Sequence, residues 1–189
     1  DGFAISDLKA VDAVLAARDD ALSVGLLVIP GTEISTEDGH VLAYGIVDAL
    51  PRNRRAVDTV EDVLARGGVP VAAHPFRFWS GLGKDQAVAA PFAAYEVQNA
   101  RTLRRGNARA RALAATQRVG LTGGSDAHFY HEIGRAVTAV ADASTEGEVL
   151  EALRRGRTRA EGIDRGAGAT VRYVTKAVGE WMLRGFRRI

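Results

Sequence analysis

Asp126 and His128, with His131 close behind, occupy the stretch LTGGSDAHFYHEIG in a chain of 189 residues that has only four histidines. An Asp-x-His pair on an extended segment aims both side chains at one point, because alternate residues leave a strand on the same side. The small residues Gly123, Gly124 and Ser125 ahead of it let the backbone bend and approach closely. Glu33 follows the run that ends near Ile29, His74 ends VPVAAH, and Glu96 and Asn99 close AAYEVQN. These oxygen and nitrogen donors, in a chain without cysteine, are the makings of a metal site built without sulfur. Such a site takes hard or borderline cations such as zinc, manganese, iron or magnesium. Two or more cations bridged by a carboxylate such as Glu33 suit hydrolysis of a phosphate ester: one acidifies a water to hydroxide, and the others neutralise the phosphoryl oxygens.

Each residue also has a plainer use. His74 alone at a strand end is more often a hydrogen-bonded structural histidine than a ligand. Asp126 can be a helix N-cap, Glu33 a surface turn residue and His40 a hairpin residue. His131 and Glu132 read as loop surface. Arg77 and Arg101 lie where a guanidinium fork can grip phosphate, and an ordinary salt bridge serves either equally well. Phe78 and Trp79 suit stacking on a base or sugar, or plugging an apolar loop. Convergence of several segments on one rim is what favours the metal site.

The elements that must position these groups alternate. Apolar spacing from Ile5 to Arg18 predicts a helix, and LSVGLLVIPGTEIST a strand that ends at Pro30-Gly31. TEDG (36–39) is a hairpin-type turn before the short strand HVLAYGI. A helix around Val57–Leu64 stops at Gly67-Gly68. Strands follow at 69–74, 93–99, 119–126 and 136–140, with helices at about 107–118 and 145–155. Such alternation predicts βα units and a parallel sheet, open or closed, with ligand groups collected at the carboxyl ends of its strands. A last amphipathic helix is expected from Thr170, through Val171, Val174, Val178, Trp181 and Phe186.

Composition is that of a globular chain, 47% apolar and 25% charged. No run of about 18 apolar residues would span a bilayer, and no secretory pattern opens the chain; a cytoplasmic location with no membrane partner is expected. Charge is lopsided: residues 1–100 carry a net −6 and residues 101–189 a net +8. A basic half can attract phosphate or nucleic acid, though scattered arginines more often form a solvated face.

VIPGTEIST, AAHPFR, YEVQNAR and GGSDAH, in this order, resemble the polymerase-and-histidinol-phosphatase (PHP) family of metal-dependent phosphoesterases over roughly residues 1–140. The resemblance implies a distorted (β/α)7 barrel with two or three divalent metal ions, zinc, manganese or iron, at the strand C-termini. It implies Glu33, His40, His74, Asp126 and His128 as metal ligands, Glu33 bridging, with Asp126 and His128 also catalytic; Glu96 matches a ligand or supporting residue of some members. The family's initial His-x-His and Thr-Asp-His motifs are absent here. The chain is therefore expected to start just downstream of them, as a piece of a longer product lacking the first βαβ unit.

The resulting expectation is a PHP-like barrel over residues 1–142 and a C-terminal helical extension over 143–189. Its activity would be hydrolysis of a phosphate monoester, a nucleotide or an oligonucleotide end through a metal-bound hydroxide, with Arg77 and Arg101 holding the phosphate. A catalytically degenerate barrel that binds nucleic acid or a protein through its basic half is the competing class. A related metal-dependent hydrolase of C–N bonds is a third.

Overall fold

The computed structural model describes residues 2–5 and 11–166. The helix expected from Thr170 lies outside them, as do residues 6–10. The elements run β1 (Gly2–Ile5), α1 (Val11–Ser23), β2 (Leu27–Ser35), β3 (His40–Tyr44), α2 (Ala56–Ala65), β4 (Val69–Ala72), α3 (Gly83–Ala89), β5 (Ala94–Asn99), α4 (Arg104–Gln117), β6 (Gly120–Gly124), β7 (Ala136–Val140), α5 (Glu146–Arg154) and β8 (Thr158–Gly162). β1 to β6 form a six-stranded sheet in chain order, curled into a half-barrel, and β7 and β8 form an antiparallel pair.

The sheet is mixed: the hairpin expected at 36–39 is present, and the expectation of a parallel sheet is corrected at β3, which is antiparallel to both neighbours. β1–β2, β4–β5 and β5–β6 pair in parallel, but β2–β3 and β3–β4 are antiparallel. The tight turn at Thr36–Gly39 allows nothing else between β2 and β3, since a parallel return needs a long crossover. Pro30-Gly31 does not end β2. It is where the strand exchanges one neighbour for another, β1 along Leu27–Pro30 and β3 along Gly31–Ser35. Glu33 therefore lies inside a strand rather than past a turn. Gly31 is needed at the exchange, because a Cβ there would come within 2.8 Å of the Tyr44 ring.

The helix expected at Ile5–Arg18 is corrected at its first residue: Ile5 belongs to the strand Gly2–Ile5, hydrogen-bonded alongside Leu27–Pro30, while Val11–Arg18 is helical as expected, within a helix described over Val11–Ser23. Apolar spacing cannot report a strand whose partner lies more than twenty residues on. α3 and β8 are additional to the elements that the sequence pattern predicts.

β4 and β5 are buried along their whole length, as strands covered on both faces must be. One face packs on α2, α3 and α4 through Val60, Ala87, Phe92, Tyr95 and Leu113; the other meets α5 through Leu150 and Leu153. α5 opens with a reciprocal capping box between Thr145 and Glu148. β7 and β8 are tied to β6 by hydroxyls: Thr138 Oγ1 bonds both the N–H and the carbonyl of Gly123, and Thr158 Oγ1 donates to the Leu121 carbonyl. Residues 146–162 thus join the same core.

Candidate metal centre

Hairpin register brings the first two donors together. Ser35 pairs with His40 and Glu33 with Leu42, so Glu33 and His40 are diagonal neighbours on one face of the β2–β3 ribbon. Thr36 fixes the turn: its Oγ1 accepts from the N–H groups of Asp38 and Gly39 at 3.2 and 3.1 Å. His40 Nδ1 then contacts Glu33 Oε1 directly.

His74 arrives from another direction, two residues beyond β4 and not at its end. Its φ is +27°, unusual for a residue with a Cβ. Two hydrogen bonds hold it: its N–H donates to Glu96 Oε2 at 2.8 Å, and its carbonyl accepts from the Arg77 N–H at 2.8 Å. The ring's Nε2 lies 3.3 Å from Glu33 Oε1, and the two imidazoles meet edge to face with centroids 5.3 Å apart.

Glu33, His40 and His74 each offer a donor atom within 4.8 Å of the other two. Metal–donor bonds of about 2.0–2.2 Å put two ligands of one cation at most about 4.4 Å apart, so small rotamer changes close this set around one ion. Burial alone would raise the Glu33 carboxyl, but hydrogen bonds and charge from His40 and His74 outweigh it and hold it well below the usual carboxylate range. Burial drives the His74 imidazole toward its neutral form against the pull of Glu33. An ionised carboxylate and a neutral imidazole are the protonation states a cation requires. The buried Nδ1 of His74 has no hydrogen-bond partner among the described residues, so the ring's polar contact is directed to Glu33. The residues fit a divalent cation.

Asp126 and His128 form a neighbouring group outside this three-residue cluster. Asp126, at φ +48°, accepts from the Arg77 guanidinium and, at 3.3 Å, from Asn99 Nδ2. His128 is largely exposed; its Nδ1 donates to the Asp126 carbonyl at 3.0 Å, and Asp126 Oδ1 is 3.6 Å away. That leaves the His128 Nε2 atom on the side away from this contact.

The two groups are joined by Asn99, which is wholly buried. Its Oδ1 accepts from Arg77 Nη2 at 3.0 Å, the Arg101 N–H at 2.9 Å and the Thr102 hydroxyl at 3.1 Å. Its Nδ2 donates to Asp126 and, at 3.1 Å, to Glu96 Oε2. Glu96 in turn holds the His74 backbone. Burial, and then the charge of Asp126, push the Glu96 carboxyl up to about 8. Gly124 makes room for it, since a Cβ there would fall 2.4 Å from Glu96 Oε1.

Of the residues singled out by sequence, Glu33, His40 and His74 are gathered into one donor set. Arg77 is engaged with Asp126 and Asn99, and Arg101 Nη1 donates to Glu132 Oε2 at 3.2 Å. Glu132, expected at the loop surface, also accepts the His128 N–H at 2.9 Å and so braces the Asp126–His128 loop; His131 is exposed and stacks on Phe129. The sequence singled out Asn99 only as a polar residue closing AAYEVQN; its reach across the site is a finding of the structure.

A mixed α/β half-barrel with one carboxylate and two imidazole donors brought within 4.8 Å of one another is the class this fold and site define. Residues 104–158 match the family model described as PHP-associated. A two-domain protein of Bacteroides vulgatus containing a predicted PHP-like metal-dependent phosphoesterase superposes with a TM-score of 0.68 at 20% identity, covering 86% of this chain and 56% of that one. The lesion-specific endonuclease Q of Pyrococcus furiosus superposes with a TM-score of 0.54 at 20% identity, covering 72% and 42%. An uncharacterised protein of Methanocaldococcus jannaschii is 25% identical over 73 residues, 39% of this chain and 43% of its own length. The chain thus spans about half the length of these relatives. The PHP resemblance carried by the sequence motifs holds: the chain has a PHP-associated segment set in a PHP-like fold. Among the described residues no helix is long and apolar enough to cross a membrane.

Proposed function

We propose that this chain carries the metal-binding face of a phosphoesterase. Glu33, His40, His74, Asp126 and His128 would hold two or three divalent ions, zinc, manganese or iron, and the substrate would be a phosphate monoester, a nucleotide or the end of an oligonucleotide. The observation that carries this reading is the convergence of Glu33, His40 and His74 on one point in a PHP-like fold. Likeness to an endonuclease supports keeping nucleic acid among the substrates.

Bound cations would supply acidity to a water nucleophile and screen the charge of the phosphoryl oxygens. The protein's own groups do the rest. Glu33 stays ionised because two imidazoles face it. Asn99 and Arg77 keep Asp126 beside the cluster. Arg77 donates to both partners through Nη2, and the remaining donors of its planar fork suit the phosphoryl oxygens. Arg101, braced by Glu132, flanks the same loop.

The test is metal analysis of the purified full gene product together with turnover of p-nitrophenyl phosphate and its diester. Bound metal and turnover that falls at least a hundredfold in both His74→Ala and Asp126→Ala are expected. Turnover equal to the parent's in both variants would defeat the proposal. Bound metal with no turnover of any ester would favour the non-catalytic binding module instead.

A further inference from the structure

The segment after His74 does not bury its aromatic residues. Phe78 and Trp79 are 84% and 86% exposed and meet edge to face, with ring centroids 4.5 Å apart and planes at 89°. The alternative of an apolar loop plug is therefore removed. Two adjacent large aromatics held in water lose the burial that ordinarily stabilises such side chains.

The loop is held firmly. The Gly81 N–H donates to the Arg77 carbonyl at 3.0 Å, the Gly83 N–H to the Pro75 carbonyl at 2.8 Å and the His40 N–H to the Ser80 carbonyl at 3.1 Å. Gly39 and Gly81 pack so closely on this loop that a Cβ on either would fall within 2.8 Å of backbone. Arg77, next to Phe78, is anchored on Asp126 and Asn99. The rings thus project from a segment tied at one end to His40 and at the other to His74. Trp79 follows His74 by five residues, which span at most about 18 Å.

The chain on either side of the loop is rich in cations. Residues 75–111 contain seven Lys or Arg against two Asp or Glu. The first turn of α4 lies against the loop: Gly106 packs on the Phe76 carbonyl, and the Arg109 guanidinium sits 4.3 Å over the Phe76 ring. Arg104 and Arg105, beside it, are exposed. Paired aromatic faces beside fixed positive charge suit a polyanion that carries flat rings, which is how single-stranded nucleic acid is held.

We propose that Phe78 and Trp79 form a base-stacking site for a single-stranded nucleic acid, whose phosphates follow the α4 arginines and whose end is directed to the Glu33–His40–His74 centre. This deepens the phosphoesterase reading by naming its substrate class, and it rests on that reading only for the destination of the strand.

The test is binding rather than turnover. Fluorescence anisotropy of a labelled ten-residue oligothymidylate and of an abasic oligomer of equal length and charge is measured on the full gene product in EDTA, where no metal-dependent cleavage occurs. Expected is binding of the thymidylate at least tenfold tighter than the abasic strand. Trp79→Ala and Phe78→Ala should erase that difference, Trp79→Phe should retain most of it, and Arg104→Gln/Arg105→Gln should weaken both strands alike. Equal affinity for the two oligomers, or a preference untouched by Trp79→Ala, would overturn the proposal, as would binding of anionic phosphatidylserine vesicles in place of either strand. Ester turnover with no base preference would sink the stacking site alone, and base preference without turnover would sink the phosphoesterase reading alone.

Discussion

Glu33 Oε1 lies 3.3 Å from Nε2 of His74, a residue 41 positions further along the chain. One side of that contact is set by the β2–β3 hairpin and the other by a left-handed residue beyond β4. Glu33→Ala should remove the only oxygen donor of the cluster and leave the buried His74 ring without its polar contact. Zinc or manganese affinity, read by equilibrium dialysis, is expected to fall at least tenfold, with Glu33→Gln intermediate. Retained affinity in Glu33→Ala would show that the cation, if any, lies elsewhere.

Arg77 gives a separable effect. It bridges Asp126 and Asn99 and touches none of the three clustered donors through its side-chain hydrogen bonds. In Arg77→Gln, ester turnover should drop tenfold or more while the first metal affinity changes less than threefold. Parallel loss of both would mean that Arg77 holds the loop of His74 rather than the phosphate side.

The buried carboxyl of Glu96 carries a pH signature in metal-free protein. Its folded value of about 8 lies above the ordinary 4.5, so the proton favours the folded state. That stabilisation is complete below about pH 4.5 and is lost as pH rises through about 8, a change of at most roughly 5 kcal/mol. Glu96→Gln removes this dependence. Glu96 Oε2 takes both N–H groups, so the Gln carbonyl can serve there while its amide occupies the Oε1 side. Urea denaturation in EDTA should find the variant gaining on the parent between pH 5 and pH 8.5; a constant difference would refute the assignment.

Gly123 tests the seam between the two sheets. A Cβ there would stand 2.5 Å from the Val137 carbonyl oxygen, which is backbone and cannot swing aside. Gly123→Ala is expected to cost about 1–3 kcal/mol, measured by thermal denaturation, by forcing β7 away from β6. A melting temperature equal to the parent's would show that the seam is looser than described.

Local order made much of this site legible. TEDG specifies a tight turn because Thr36 and Asp-Gly satisfy it within four residues; the diagonal placement of Glu33 and His40 also needed β2 to run on through Pro30-Gly31 to Ser35, which the sequence did not reveal. The helices at 56–65 and 146–154, and β7 at 136–140, could be read because apolar spacing and caps are properties of contiguous residues. Tertiary structure alone decided the rest. Gly2–Ile5 is a strand only because Leu27–Pro30 lies beside it, and Pro30-Gly31 marks an exchange of neighbours rather than an end. The network through Asn99 joins residues from 74 to 126, and its hydrogen bonds exist only once β4, β5 and β6 are side by side. Which donors share a centre, and which stand next to it with Arg77, depends on distances between strands, and no spacing along the chain encodes those.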